Sequence, residues 1–246
     1  MPTILRRVSG RLREQDWAAV LIEMLIVVIG VFFGIQAANW NQTRQDRQEE
    51  RRVYSQLIED LRTDVGTLEL AIKQSRNFDR AAENVLAALH SGTLSKTDPP
   101  RFAVDVHLAG FIYIPRPARR TYDELVSTGG LRLLRNGEAK QAIAEYYAKF
   151  ETDRQWDSLL REQQGYYWRM TAGVVPRRVL QAATRGRIPD VTPAEAASIL
   201  SAARRRPEIA DLLVGMAAHQ ERVRRDSERL GKQARELIRR LEPLAR

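Results

Sequence analysis

Between two tryptophans, Trp17 and Trp40, the chain reads WAAVLIEMLIVVIGVFFGIQAANW, with Glu23 as its single ionisable residue. A bilayer core about 30 Å thick is crossed by roughly 20 apolar residues at a rise of about 1.5 Å each. The run meets that length, and its edge tryptophans fall where amphipathic rings favour the headgroup level. One transmembrane helix over 17–40 is therefore expected, after a basic tail over 1–16. Cleaved secretory leaders have shorter apolar cores. Ile35-Gln36-Ala37 is compatible with cleavage, but an uncleaved signal anchor fits the length better.

Flanking charge does not orient the helix by itself. Arg6, Arg7, Arg11 and Arg13 precede it, and Arg44, Arg47, Arg51 and Arg52 follow it. The acids Asp46, Glu49 and Glu50 count for little in the positive-inside rule. Long domains translocate largely regardless of charge, whereas a short basic tail stays in the cytoplasm. The expected topology is a bacterial inner-membrane protein with a cytoplasmic N-terminus and a periplasmic C-terminal domain.

Within the span, Gly30 and Gly34 form a GxxxG pair, with Ala37 three residues on and Glu23 seven residues before Gly30. At helical spacing these four share one face, where small residues let two backbones approach closely. Glycine is also common in such helices, so association through Glu23, Gly30, Gly34 and Ala37 stands beside a purely compositional reading. Glu23 is less than two turns from the Trp17 edge, so it can reach the interface, be protonated, or pair across a helix contact.

The remaining residues, 41–246, suffice for a sizeable core. Cysteine is absent, which excludes a disulfide framework, a thiolate nucleophile and a cysteine zinc site. Net charge is +9, but both signs are interspersed, as in RRDSERLGKQARELIRR. No nucleic-acid motif is present and aromatics do not interleave the basic clusters, so no nucleic-acid partner is expected.

Apolar steps of three and four through Tyr54, Leu57, Leu61, Val65, Leu68 and Ile72 predict a helix over about 41–90, stopped at Ser91-Gly92. The stretch from Phe102 to Ile114 reads equally as helix or extended chain before Pro115 and Pro117. Thr121 to Glu124 and Thr192 to Glu195 read as capping boxes, and Asn136 as a cap for a helix over about 137–170. A last helix over about 207–241 carries the seam Ile209, Leu212, Met216, His219, Val223, Ser227, Leu230, Ala234, Leu237 and Leu241. No strand alternation persists, so the expected fold is all-α: one N-terminal transmembrane helix continuing into a long-helix antiparallel bundle.

Chemistry-bearing patterns are few. His90, His107 and His219 stand in no HExxH or ExxH arrangement, and His219 is expected in the core. No P-loop, GxSxG or dinucleotide fingerprint occurs. Glu59, Asp60 and Asp64 are read as a solvated helix face. No enzyme activity, catalytic residue, cofactor or metal is expected. The segment 121–136 is read either as a bundle corner or, with Arg119, Arg120, Tyr122, Tyr146 and Tyr147, as a ligand or partner surface suited to an anion.

Two segments carry a resemblance. LREQDWAAVLIEMLIVVIGVFFGIQAANWNQTRQDRQEERRVYSQLIEDLRTD and TYDELVSTGGLRLLRNGEAKQAIAEYY are similar to a family of uncharacterised bacterial membrane proteins with a "DW…E…VV.GV..G…NWN" anchor and a later "TY.EL..SG.L.L..N" box. The matching positions are Asp16, Trp17, Glu23, Gly30, Gly34, Asn39, Trp40 and Asn41, then Thr121, Tyr122, Glu124, Leu125, Gly130 and Asn136. Thr128 precedes two glycines where the box has Ser-Gly, and the likeness does not extend to 171–246. It implies an envelope-membrane location and no activity. The expected function is thus a membrane-anchored helical binding or assembly protein, whose partners are the lipid bilayer and a second copy or another membrane protein. The alternative is a periplasmic ligand-sensing module that signals through a membrane partner. A third reading places the domain in the cytoplasm, binding anionic lipid or nucleic acid.

Overall fold

The helical period that begins at Trp17 is realised as one helix, α1, Trp17–Ser91. The computed structural model describes residues 17–154 and 156–246, so the basic tail read over 1–16 lies outside the described residues. Two compact units divide the chain, one ending at Arg52 and the other spanning Val53–Arg246.

In the first unit, α1 is long and apolar enough to span a membrane. From Leu21 to Ile35 its large apolar side chains are 44–66% exposed and none is buried. A continuous exposed apolar surface of this kind marks an interaction site for a membrane or another protein.

The second unit is helical throughout its regular elements, with no strand among the described residues. After α1 come α2 (Thr93–Thr97), α3 (Pro99–Leu108) and α4 (Arg120–Ser127). A 3₁₀ turn, Gly130–Leu133, then leads to α5 (Gly137–Arg154), α6 (Asp157–Thr171), α7 (Arg177–Thr184), α8 (Pro193–Arg204) and α9 (Glu208–Leu241). The stretch predicted as one helix over 137–170 is thus two, α5 and α6.

The caps follow side-chain chemistry. α1 stops at Gly92, whose φ of 70° only glycine adopts without penalty, and whose amide donates to Ala88 O at 2.7 Å. Asn136 accepts the Ala139 amide at 2.9 Å. Thr192 and Glu195 form the capping box expected of them, with Pro193 at the first helical position. Thr121 and Glu124 do not: α4 has no side-chain cap of its own, and Asp60 of α1 accepts the Thr121 amide at 3.0 Å. Two arginines cap helix ends from afar. The Arg204 guanidinium donates to Leu89, Ala88 and His90 carbonyls of α1, and Arg206 to Met170 and Ala172 at the end of α6. Cations there meet the negative end of the helix dipole.

The core has two layers along α1 and α9. One joins Tyr54, Leu57, Leu61 and Leu68 to Ile143 and Phe150 of α5 and Leu230, Ala234 and Leu237 of α9. The other joins Ala71, Ala82 and Val85 to α3, α6, α8 and the first half of α9, including Leu213 and Met216. The buried positions differ from the predicted stripes by one residue in places. On α1 the seam passes through Asp64 and Ala71, while Val65 and Ile72 are only half-buried. On α9 it passes through Leu213 and Gln220; Leu212 and His219 lie beside it, half-buried. On α9 the buried positions recur in unbroken alternating steps of four and three from Ile209 to Leu241, and on α1 they do so from Tyr54 to Ser75, the spacing that keeps one face toward a neighbour.

The two helices run antiparallel, in a register marked by ion pairs. Arg62 pairs with Glu242 at 3.5 Å, Glu69 with Arg235 at 3.3 Å, and Arg76 with Glu228 at 3.6 Å. Successive rungs are seven residues apart on each helix, and the sign alternates from rung to rung.

Candidate functional site

Two places hold the residues singled out in the sequence. In the first unit, Glu23, Gly30, Gly34 and Ala37 all lie within α1. At about 100° per residue they fall on one side of the helix. A Cβ built on Gly30 or Gly34 would meet nothing within 4 Å, so the glycines leave a shallow open trough.

In the second unit, the segment 111–119 has no regular structure, so neither ladder nor helix satisfies its backbone. Buried amides and carbonyls must then find side chains. Asp64 Oδ1 accepts the Ala118 amide at 2.6 Å, and the Tyr147 hydroxyl donates to Ala118 O at 3.1 Å. Gln220 Nε2 donates to Phe111 O at 2.6 Å, and Ser75 Oγ to the Gln220 carbonyl at 2.7 Å. The Tyr146 hydroxyl donates to Asp64 Oδ2 at 2.9 Å. Asp64 is 1% exposed, and burial pushes its carboxyl up to about 6 against the lowering by Ala118 and Tyr146. Burial also raises the Tyr146 and Tyr147 hydroxyls well above the usual phenol range.

This clasp brings together Arg119, Tyr122, Tyr146 and Tyr147. The Tyr122 and Tyr147 rings stack at 4.5 Å, and Tyr146 meets Tyr147 edge-on at 5.2 Å. The Arg119 guanidinium stands 5.8 Å from the Tyr122 centroid and 6.0 Å from that of Tyr147. Its charge is shared by Asp123, at 3.0 Å, and Glu151. Arg120 is exposed and takes no part. Asp60 and Asp64 were missed as members: they hold the 118–121 backbone, and only Glu59 of the three carboxylates is exposed, paired with Arg62. Their signal was present, because Asp64 falls on the seam step between Leu61 and Leu68.

The histidines are dispersed. His90 bonds the Leu86 carbonyl, and His107 meets Phe111 edge-on at 4.9 Å. His219 is half-buried beside the seam, and burial lowers its affinity for a proton. Among the described residues no group of three His, Asp or Glu side chains is placed to hold a metal.

A separate cavity of about 70 Å³ opens between α5, α6 and α9, walled mainly by Ile114, Phe150, Leu160, Val223 and Leu230. At its edge the Arg222 guanidinium lies 4.1 Å from the Trp156 ring centroid. Ser227 Oγ, 1% exposed, lines it with no hydrogen-bond partner among the described residues.

No curated protein and no solved structure matches the chain. A family model does match, over residues 23–164, which takes in the apolar run from Glu23 onward, Asp60, Asp64, the segment they hold and the stacked tyrosines. That is more than half of the 246 residues, and the chain belongs to this family of unknown function, DUF6090.

Proposed function

We propose that the chain is a single-pass, membrane-anchored binding and assembly protein of the bacterial inner membrane, which self-associates through its transmembrane helix. One observation carries the reading: a fully exposed apolar helical surface whose glycines, Gly30 and Gly34, leave a trough open to a partner. In lipid, apolar surface alone gives helices no reason to associate; close backbone approach over small residues does. Glu23, on the same side, can bond across such a contact. The helical domain is assigned to the periplasm and the N-terminus to the cytoplasm, and the function requires no catalysis.

Gly30→Ile with Gly34→Ile should lower self-association of the full chain in a transmembrane two-hybrid or crosslinking assay, since the branched side chains fill the trough and hold the backbones apart. Unchanged association would end the reading. Reporters active only in the periplasm or only in the cytoplasm, each fused after Arg246, test the topology. A second reading, ligand sensing by the periplasmic domain, is favoured by the cavity at Ser227, an apolar chamber with one unused hydroxyl. Signal would then pass to a partner in the membrane.

A further inference from the structure

We propose that one face of α1, formed by Trp40, Arg44, Arg47 and Arg51, binds the phosphate of an anionic phospholipid headgroup. The inference rests on the membrane reading of the preceding apolar run. The four residues recur in steps of four, three and four along the described helix. At about 100° per residue they fall within roughly 60° of one another. With Thr43 and Gln48 they line a groove of about 380 Å³.

Charge on this stretch is largely segregated. Asp46 and Glu49 fall on the opposite side, about 140–200° around the helix from Arg44, and Glu50 stands at the margin of the face, about 60° from Arg47. Asp46 accepts from Gln42 at 2.8 Å, and Glu49 faces Arg52 at 4.0 Å. Arg44 and Arg47 are exposed and have no carboxylate partner among the described residues. A solvated helix face would mix its signs, as the late part of α9 does, where Arg222 pairs with Asp226 and Arg240 with Glu236. Here three guanidiniums line up behind one indole.

Position along the helix selects the ligand. The Trp40 ring, 70% exposed, marks the edge of the apolar run. Arg44 lies one turn further, about 6 Å along the axis, and Arg47 and Arg51 follow at about 10 and 16 Å. Headgroups occupy roughly 5–8 Å beyond each side of the hydrocarbon. Cα–Cβ bonds tilt toward a helix N-terminus, which here is the membrane side, so long arginine stems lean back toward the phosphates. A planar guanidinium offers paired donors to phosphate oxygens. Gly30, Ala37 and Arg44 also share one side of the helix, within about 40°. Two copies meeting through the glycine trough would therefore bring like charges together, and lipid phosphates would supply the counter-charge.

Full-length protein reconstituted in nanodiscs with equal mole fractions of phosphatidylglycerol and phosphatidylcholine tests this by native mass spectrometry of retained lipid. Each arginine at an anionic surface is worth about fivefold in affinity, so at least about tenfold enrichment of phosphatidylglycerol is expected. Arg44→Gln, Arg47→Gln and Arg51→Gln combined should reduce the preference to near unity, and the corresponding triple Lys variant should keep most of it. Equal retention of the two lipids by the parent, or unchanged enrichment in the triple Gln variant, overturns the inference. So does displacement of the lipid by excess inorganic phosphate, which would show a site for the free ion. Carbonate extraction separates the two readings: a parent chain released from membranes loses both, whereas one that stays and shows no enrichment loses only this inference.

Discussion

Asp64 accepts two hydrogen bonds from different elements, the Ala118 amide on Oδ1 at 2.6 Å and the Tyr146 hydroxyl on Oδ2 at 2.9 Å. This carboxylate ties α1 to α5 and to the irregular segment between α3 and α4. It does so in a nearly water-free setting, and the cost of that burial appears in its titration. Its carboxyl is pushed up from 3.8 to about 6, by burial first, with Asp60 one turn away adding to the shift.

A folded-state value above the unfolded one means that the native chain binds more protons between about pH 4 and 6. Asp64 therefore contributes stability that is full below about pH 4 and is lost as the pH rises through about 6, by up to about 3 kcal/mol. Asp64→Asn keeps an acceptor for the Ala118 amide and does not titrate. Relative to the parent, it should become more stable from about pH 4.5 to about pH 7.5, and urea midpoints of the full chain in detergent at both values check this. Asp79 and Asp105 are also raised by burial, so the difference between the two chains, not the parent profile alone, isolates Asp64. Parallel profiles would mean that Asp64 titrates as an ordinary carboxylate.

The helices were legible because their signals are local: a three-four apolar step, Asn136 and Thr192 as caps, and Gly92 as a stop. The all-α class followed from them. The clasp was not legible as such. The seam position of Asp64 hints at burial, but the roles of Asp60, Asp64 and Gln220 appear only once the segment 111–119 is known to be irregular, with backbone groups that no ladder satisfies. That segment came from a stretch whose apolar pattern suits helix or coil equally. The same ambiguity moved the α9 seam by one residue, because Leu212 and Leu213, or His219 and Gln220, fit a three-four step alike. The capping roles of Arg204 and Arg206 have no local signal either, because their acceptors, carbonyls at the ends of α1 and α6, are distant in sequence.

The register between α1 and α9 makes a second prediction. Glu69 and Arg235 form the middle rung of the alternating ladder and are 64% and 49% exposed. Pairs this exposed are worth only about 0.2–1 kcal/mol each, so their role is to select one register and direction over others. Glu69→Arg alone places a third cation beside Arg62 and Arg76 and should destabilise by about 0.5 kcal/mol. Adding Arg235→Glu should restore most of that loss. A double-mutant cycle measured in low and high salt should show a coupling that shrinks with ionic strength. A salt-independent coupling would point to packing of the side-chain stems instead.

Two glycines should respond oppositely to alanine. At Gly110 a Cβ would overlap the Tyr167 ring at Cδ1. Tyr167 is fully buried and its hydroxyl is tied to Val106 O at 2.7 Å, so the ring has nowhere to move. Gly110→Ala should cost about 1–3 kcal/mol or more by overpacking. At Gly66, inside α1, a Cβ meets nothing within 4 Å. There Gly66→Ala should gain up to about 1 kcal/mol from helix propensity. Thermal midpoints of the two variants should move in opposite directions, and a stable Gly110→Ala would mean that Tyr167 is free to swing aside.

Ser227 sits on the α9 seam between Val223 and Leu230, where its neighbours in the three-four pattern are apolar. Ser227 also lines the cavity walled by Ile114, Phe150 and Leu160, and its buried hydroxyl has no partner among the described residues. A buried hydroxyl left unbonded costs about 1–3 kcal/mol, so a chain that gains nothing from it should tolerate or favour its removal. Ser227→Ala is therefore expected to leave the urea midpoint unchanged or to raise stability by up to about 1 kcal/mol. Ser227→Val replaces the hydroxyl with two methyl groups beside a cavity of about 70 Å³ and should also be tolerated. If Ser227→Ala instead destabilises purified protein by more than about 1 kcal/mol, the hydroxyl is satisfied by something bound in the cavity. The ligand-sensing reading would then gain a site with a named contact, and the loss should disappear once the bound molecule is stripped from the parent chain.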